Sequence, residues 1–109
     1  MPSSEQDQQL EYEIQNKGLT APRLTPSHID SKIMDIRYHR VEDTSTTLCS
    51  LVLENGFVVN GESASASLEN FDESLGKQIA FNNARDKIWA LEGYLLREKL
   101  YQQSLLENN

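Results

Sequence analysis

The feature that most constrains this chain is the apolar spacing across its C-terminal third, residues 70–105. Apolar side chains recur there mostly at steps of three and four residues, which is the period of an α-helix. One line comprises Phe71, Leu75, Ile79, Ala84, Ile88, Leu91 and Leu95. A second line of apolar or small residues comprises Trp89, Gly93, Leu96 and Leu100. The spacing predicts one long amphipathic helix, or a helix pair broken once, with one line against a sheet and the other against a partner chain.

The Asn55-Gly56 dipeptide predicts a β-hairpin, because it accepts the positive φ angles of a two-residue type I′ turn. Apolar and β-branched runs flank it on both sides. A two-residue turn would place Leu53 opposite Val58 and Val52 opposite Val59. Both faces of the hairpin then carry apolar groups, and only one of them can meet the long helix. The other face needs a second chain or the N-terminal segments.

Two shorter elements precede the hairpin. Thr25-Pro26 begins a helix over residues 26–34, since Thr can cap a helix N-terminus and Pro is tolerated at the first helical position. The strict alternation in residues 35–40 predicts a half-buried strand with Ile36 and Tyr38 inward.

The termini are predicted to add little to the fold. Residues 1–24 form a mobile arm rich in Gln, Glu, Ser and Asn, in which the alternation of Leu10, Tyr12 and Ile14 leaves a short edge strand as an alternative. Residues 25–105 form one domain, and residues 106–109 form a frayed tail. The predicted fold class is therefore α+β: a short N-terminal helix, a small antiparallel sheet with a central hairpin, and a long C-terminal helix or broken helix pair.

Composition excludes several classes of protein. A chain of 109 residues has room for one domain and a modest core, and no apolar run approaches the length of a membrane span. Ten basic against seventeen acidic residues give a net charge of −7, which disfavours binding to DNA. The start of the chain lacks the features of a signal peptide, and the lone Cys49 cannot form an intramolecular disulfide. We therefore expect a cytoplasmic protein without a membrane partner.

Several stretches carry a resemblance to a known family. They are Leu-Glu-Asn-Gly-Phe-Val-Val-Asn-Gly-Glu-Ser-Ala at 53–64, Asn-Phe-Asp at 70–72, Ile-Ala-Phe-Asn-Asn-Ala at 79–84 and Lys-Ile-Trp-Ala-Leu-Glu-Gly-Tyr-Leu-Leu-Arg at 87–97. Together with Pro-Arg-Leu-Thr-Pro at 22–26, they resemble the phage gp-forty-nine/gene-sixty-six family of short tailed-phage proteins. The chain departs from many relatives at Ala90, where they carry Pro, which leaves the continuity of the helix open there.

The resemblance implies a phage-encoded accessory protein in the cytoplasm of the host bacterium. The family has no established activity. The expected layout, a small sheet followed by C-terminal helices in an oligomer, is similar to phage counter-defence proteins that sequester nucleotide messengers of bacterial immunity. This step rests on analogy of architecture.

The candidate ligand residues lie on the long helix and at the junction that precedes it. Asn82, Arg85 and Trp89 are spaced three and four residues apart, so an amide, a guanidinium and an indole can share one face. Tyr94 and Arg97 offer a second aromatic ring and a second cation. The alternative for Trp89 is a core or interface position, and for Arg85 it is a salt bridge.

The junction is the second candidate region. Ser63, in the Gly61–Ala64 segment between sheet and helix, could offer its hydroxyl to an anion. The simpler interpretation is a tight bend of small residues, and the carboxylate of Glu62 opposes an anion there.

No catalytic motif is present in the sequence. His28, His39 and Cys49 lie on different predicted elements, and Asp72-Glu73 is expected to favour the helix N-terminus through its dipole. The sequence therefore predicts no catalytic residue, no metal site and no cofactor.

The leading hypothesis is a non-enzymatic phage protein that counters bacterial defence by sequestering a small nucleotide signal at a subunit interface of a homo-oligomer. Arg85 and Arg97 would meet phosphate, and Trp89 or Tyr94 would stack on a base. The first alternative is an acidic inhibitor or decoy that occupies a basic surface of a host nuclease or defence effector. The second is a structural or regulatory partner of another phage protein.

Overall fold

A computed structural model of the protein describes residues 5–18 and 21–107. The parts of the predicted arm and tail at 1–4, 19–20 and 108–109 lie outside these residues. The elements, in chain order, are α1 (Glu5–Asn16), α2 (Pro26–Ser31), β1 (Ile33–Arg40), β2 (Thr46–Leu53), β3 (Val58–Ala64), a 3-10 turn (Leu68–Asn70) and α3 (Glu73–Glu107). The predicted α+β fold class is confirmed.

The chain divides into two compact units. The first unit contains the chain up to Ser31 together with the chain from Trp89 onward, so it holds α1, α2 and the C-terminal part of α3. The second unit, Lys32–Ile88, holds the sheet, the 3-10 turn and the N-terminal part of α3. Within the described residues, no helix combines the length and the apolar character that crossing a membrane requires.

The sheet of the second unit is antiparallel, with the strand order β1-β2-β3. Along the central strand β2, every second residue from Thr47 to Leu53 is buried, as expected for a strand with one covered face. Ile36 pairs with Leu51 and Tyr38 with Cys49, so both predicted inward residues of β1 lie on the covered face.

The hairpin forms at Asn55-Gly56, but its register differs from the predicted one. Val52 pairs with Val58 and Leu51 with Val59. The reason is the turn type: Gly56 alone adopts a positive φ, 89°, whereas a type I′ turn needs a positive φ at both central residues. A longer loop results, closed by the hydrogen bond from the Leu53 N–H to the Phe57 carbonyl at 2.8 Å.

The contact of β3 with α3 is the tightest feature of the second unit. A Cβ atom added to Gly61 would lie 2.2 Å from the backbone N of Ala84 and 2.3 Å from the carbonyl O of Ala80. The helix backbone therefore lies directly on the strand backbone, and only glycine fits at this position. Ala80, Ala84 and Ile88, at steps of four residues, are fully buried.

The predicted core line of the long helix is partly wrong. Ala84 and Ile88 are buried as expected, but half or so of the side-chain surface remains exposed at its larger members: Leu75 53%, Ile79 43%, Leu91 39% and Leu95 54%. For Leu75 and Ile79 the physical reason is the step of five residues from Ile79 to Ala84, which turns the line by about 140° around the helix axis. Leu91 and Leu95 lie on the same side of the helix as Ala84 but follow the last fully buried residue of the line, Ile88. The covered side instead begins at Ala80, whose methyl group permits the close approach.

The helix itself is continuous over 35 residues and passes through Ala90 without a break. Its N-terminal cap is Asp72, whose Oδ1 accepts the Leu75 N–H at 2.9 Å. No other element packs closely against Gly93, because an added Cβ would meet only Leu24 Cδ1, at an ordinary 3.9 Å.

Near the N-terminus, residues 5–16 form helix α1 rather than the edge strand that was the alternative for this region. α2 ends at Ser31, earlier than predicted, because Ile33 already begins β1. Its predicted cap is confirmed: the His28 N–H donates to Thr25 Oγ1 at 3.1 Å. The predicted boundary between arm and domain at residue 24 stays a prediction.

We predict opposite effects of two glycine-to-alanine changes. Gly61→Ala should lower the free energy of unfolding by at least about 2 kcal/mol, because its Cβ has no room against the α3 backbone. Gly93→Ala should raise it by about 1 kcal/mol, because alanine is the better helix former and the space is open. Urea unfolding measures both, and equal effects would contradict the assigned contact.

Candidate functional site

The sequence-predicted ligand residues fall into both units. Ser63, Asn82 and Arg85 belong to the second unit, and Trp89, Tyr94 and Arg97 belong to the first. Each group is described within its own unit.

In the second unit, the Ser63 hydroxyl is already used by the fold. Ser63 lies on β3 opposite Thr47, and its Oγ donates to the Gly76 carbonyl of α3 at 2.6 Å. Next to it along β3, the Glu62 carbonyl accepts a hydrogen bond from Asn83 Nδ2 at 2.8 Å. The tight bend predicted for this segment is wrong, because residues 61–64 belong to the strand β3. Both contacts tie the strand to the helix, which accounts for the polar groups of the segment.

Asn82 and Arg85 lie three residues apart on α3, on the same side of the helix. Asn82 is exposed and Arg85 is half-buried. The amide of Asn82 is open to solvent, whereas the guanidinium of Arg85 is partly buried.

A small cleft opens where the sheet meets the start of α3. Its volume is about 80 Å³. It is lined by Ser45, Ser63, Ala64, Ser65, Asn70, Phe71, Asp72, Leu75, Gly76 and Ile79. Small-molecule pockets have volumes of about 300–1,000 Å³, so this cleft is too small to enclose a nucleotide.

Thr47 is a polar residue in this region that the sequence reasoning missed. It is 2% exposed, and its Oγ1 is buried without a hydrogen-bond partner among the described residues. The same Oγ1 would lie 3.1 Å from a Cβ at Gly76. An unsatisfied buried hydroxyl costs about 1–3 kcal/mol. The alternation of β2 was the available signal, because it places Thr47 on the same face as Cys49 and Leu51.

The Cys49 thiol has the properties of a structural cysteine. It is fully buried, and burial raises its pKa. Burial, and then the neighbouring Cys49, also raise the pKa of Tyr38. His39 pairs with Leu48, on the opposite face of the sheet from Cys49. A raised pKa keeps the thiol protonated and weakly nucleophilic.

In the first unit, α3 presents Tyr94 and Arg97 together. Three residues separate them, about 60° around the axis, and both are exposed, Tyr94 by 70%. Trp89 precedes Tyr94 by five residues, about 140° around the axis, and is half-buried. Tyr94 and Arg97 therefore lie on one side of the helix, and Trp89 lies on another.

A second pair in this unit was not found from the sequence. His28 Nε2 and Glu92 Oε1 are 2.9 Å apart, and Glu92 is only 9% exposed. Glu92 follows the buried Ile88 by four residues, and this spacing was the signal for a buried carboxylate.

A groove of about 430 Å³ lies between α1 and the start of α2 in the first unit. It is lined by Asp7, Gln8, Glu11, Tyr12, Gln15, Thr25, Pro26 and Ser27. Its volume suits a small ligand. Its lining includes the carboxylates of Asp7 and Glu11, both of which have partners within the fold.

The end of this groove is fixed by an ion pair. The guanidinium of Arg23 donates to both carboxylate oxygens of Glu11, at 2.6 and 3.0 Å. These hydrogen bonds hold the pKa of Glu11 below its usual range and raise the pKa of Arg23. The described residues contain no group of three or more His, Cys, Asp or Glu arranged to hold a metal ion.

Comparison of the chain with known protein families gives a match. A family model described as "Phage protein (N4 Gp49/phage Sf6 gene 66) family" matches residues 24–100, well over half of the chain. No curated protein and no solved structure matches this chain.

We predict opposite signs for two hydroxyl substitutions at the sheet–helix contact. Thr47→Val should raise the free energy of unfolding by about 1 kcal/mol, because it removes an unsatisfied buried hydroxyl with little change of shape. Ser63→Ala should lower it by about 1 kcal/mol, because the bond to Gly76 is lost. Urea unfolding distinguishes them, and a loss of stability in Thr47→Val would show that its hydroxyl is hydrogen-bonded.

We predict that the Glu11–Arg23 pair stabilises the protein at neutral pH and not in acid. Because the folded-state pKa of Glu11 is lowered, its contribution is present above the unfolded value near 4.3 and is lost as the pH falls through the folded value. The stability difference between wild type and Arg23→Ala should therefore shrink from pH 7 to pH 3. An NMR titration of Glu11 should show its pKa returning to the ordinary range in Arg23→Ala.

Proposed function

This chain belongs to the phage protein (N4 Gp49/phage Sf6 gene 66) family, and from that premise we propose that it is a non-enzymatic binding protein acting in the cytoplasm of the host bacterium. Its target is a component of bacterial defence, which it inhibits by occupying a surface and not by chemistry. The phage family supports the setting, and the protonated, buried Cys49 supports the non-enzymatic role.

The observation that carries the mode of binding is the character of α1. This helix has four acidic residues, Glu5, Asp7, Glu11 and Glu13, and no basic residue. None of its residues is buried, and the apolar side chains of Leu10 and Tyr12 are exposed by 57% and 69%. A helix of 12 residues that buries no side chain is marginally stable by itself. Docking on a partner would supply the missing burial.

The partner of such a helix has a basic surface with an apolar depression. The carboxylates of α1 would meet Lys and Arg side chains, as nucleic-acid phosphates do on a nuclease or a nucleic-acid-sensing effector. The net charge of −7 accelerates the encounter with such a surface and opposes binding to nucleic acid itself. α1 thus acts as an acidic decoy.

We predict that neutralising α1 abolishes the interaction. The variant Glu5→Gln/Glu13→Gln neutralises two exposed carboxylates and keeps Glu11 and Asp7, which have partners within the fold. The partner is captured from infected cells with wild-type protein, and its affinity is then measured by titration at 50 and 300 mM salt. Affinity should fall at least tenfold in the variant and should fall with salt for wild type.

The matched control is Glu42→Gln/Glu69→Gln, which removes the same charge from exposed positions elsewhere. It should retain most of the affinity. Equal losses in both variants would reduce the effect to net charge, and unchanged affinity in both would contradict the decoy function.

Sequestration of a nucleotide signal is the second candidate, and the pairing of Tyr94 with Arg97 favours it. An exposed phenol and a guanidinium on one side of a helix can stack on a base and bind a phosphate. In an oligomer, Asn82, Arg85, Trp89 or Ser63 would complete such a site. A thermal-shift screen with cyclic dinucleotides, cyclic trinucleotides and ADP-ribose derivatives tests it. A stabilisation lost in Arg97→Ala supports sequestration, and no shift with any of them contradicts it.

A further inference from the structure

The first unit contains a second apolar face on α3 that the fold leaves uncovered. We call it the outer face, defined by Leu91, Tyr94, Leu95, Glu98, Tyr101, Gln102 and Leu105. Leu91, Tyr94, Glu98, Tyr101 and Leu105 follow one another at alternating steps of three and four residues, which is the spacing of the seam between paired helices, and Leu95 and Gln102 lie beside them. Its apolar members are exposed: Leu91 39%, Tyr94 70%, Leu95 54%, Tyr101 55% and Leu105 43%.

The same segment of α3 already has an inner side. Glu92 is buried and contacts His28, while Leu96 and Leu100 are half-buried. A surface helix packed on one side normally presents polar residues on the other. The outer face departs from this pattern over four helical turns, which indicates a second packing partner.

We propose that the partner is a second copy of this chain, with the two outer faces packed antiparallel about a two-fold axis near residue 96. In this arrangement Leu91 lies opposite Tyr101 of the partner subunit, and Tyr94 lies opposite Glu98 of the partner subunit. Because the axis is two-fold, each contact occurs twice, and one face serves both copies.

The position of Glu98 decides the direction of the helices. A parallel two-fold pair is necessarily in register and places the two Glu98 carboxylates against each other within an apolar seam, which is strongly unfavourable. An antiparallel pair centred on residue 98, the midpoint of the outer face, would do the same, whereas an axis near residue 96 separates the two carboxylates. In the antiparallel pair, each carboxylate meets a phenol that can donate a hydrogen bond. Gln102 Nε2 already donates to Glu98 Oε1 at 2.9 Å, so the other carboxylate oxygen is the one that meets the phenol.

Charge complementarity adds to this assignment. Arg97 borders the outer face one helical turn from Tyr94 and is exposed. In the antiparallel pair, the guanidinium of Arg97 comes within reach of the Glu98 carboxylate of the partner subunit. The outer face and its border therefore carry both members of the ion pair, Arg97 and Glu98. A surface that binds an unrelated protein would not need both.

The seam is short, with five exposed apolar side chains on each copy, so the interface is at the small end of specific protein contacts. We expect a dissociation constant in the micromolar range, about 1–100 μM. Salt does not screen the burial of apolar surface. It does screen the repulsion between two copies of charge −7. The dimer should therefore persist at 0.5 M salt.

Sedimentation equilibrium of the full chain at about 5–500 μM tests the dimer. Wild type should shift from monomer to dimer mass, and Leu95→Glu should remain monomeric across the range. Leu68→Glu is the matched control, because Leu68 is exposed by 56%, close to the 54% of Leu95, and lies in the 3-10 turn. Circular dichroism checks that both variants fold. A monomeric wild type at the highest concentration, or an equal loss in both variants, overturns the proposal.

Disulfide trapping tests the direction of the helices. The native Cys49 is the single cysteine and is fully buried, so it does not compete. A mixture of Tyr94→Cys and Glu98→Cys proteins should form the mixed disulfide under mild oxidation. Glu98→Cys alone should not cross-link to itself. Self-cross-linking of Glu98→Cys without the mixed product overturns the antiparallel arrangement.

A charge exchange provides a test without cysteine. Glu98→Lys should weaken the dimer at least tenfold, because it opposes Arg97 of the partner subunit. Adding Arg97→Glu to it should recover most of the affinity, and no recovery overturns the assigned ion pair. The inference goes beyond the proposed function and is independent of it: α1 variants should leave the dimer mass unchanged, and Leu95→Glu should leave the α1 interaction in place.

Discussion

The close approach of α3 to β3 at Gly61 is the constraint on which the second unit depends. Because Gly61 has no side chain, the backbone atoms of Ala80 and Ala84 can lie against the strand. The larger buried residues of this unit, among them Leu51 and Ile88, then pack around this contact. Hydrogen bonds from Ser63 to the Gly76 carbonyl and from Asn83 to the Glu62 carbonyl hold the two backbones at the same spacing.

The first unit is held by the buried side chains of Pro26 and Ile29 and by polar contacts. Its described tertiary contacts include two polar pairs, Glu11 with Arg23 and His28 with Glu92. Polar pairs near the surface specify geometry but contribute little stability, since most of their gain is offset by lost hydration. α1 in particular buries none of its own side chains, and the contact of Glu11 with Arg23 is one of the polar contacts that position it. Because this acidic helix is weakly attached, we propose that a partner protein replaces the water around it.

Two surfaces are thus proposed to act through different forces. α1 would act by charge, which works over about 8–10 Å at physiological salt and is weakened by added ions. The outer face of α3 would act by apolar burial, which works only at contact and withstands salt. The two also differ in symmetry: α1 has no basic counterpart on itself, whereas the outer face pairs Glu98 with Arg97 and Tyr94 on its own surface. These differences make the two proposals separable by experiment.

The sequence by itself determined the elements whose signals are local: the Thr25 cap, the hairpin at Asn55-Gly56, the β1 strand and the long helix. Each depends on backbone preferences of a few neighbouring residues. It also identified the residues proposed to contact a ligand, though not their grouping, because Trp89 and Tyr94 are separated by helical rotation rather than by distance along the chain.

The tertiary structure alone decided which side of the helix is covered. Leu75 and Ile79 have the composition of a core, but Ala80 and Ala84 occupy the covered side because a backbone-to-backbone contact at Gly61 admits only small residues there. The hairpin register was decided in the same way, since one glycine with a positive φ lengthens the loop and shifts the pairing by one residue. Burial depends on which surfaces meet, and that information lies in contacts between distant segments, which a local pattern does not contain.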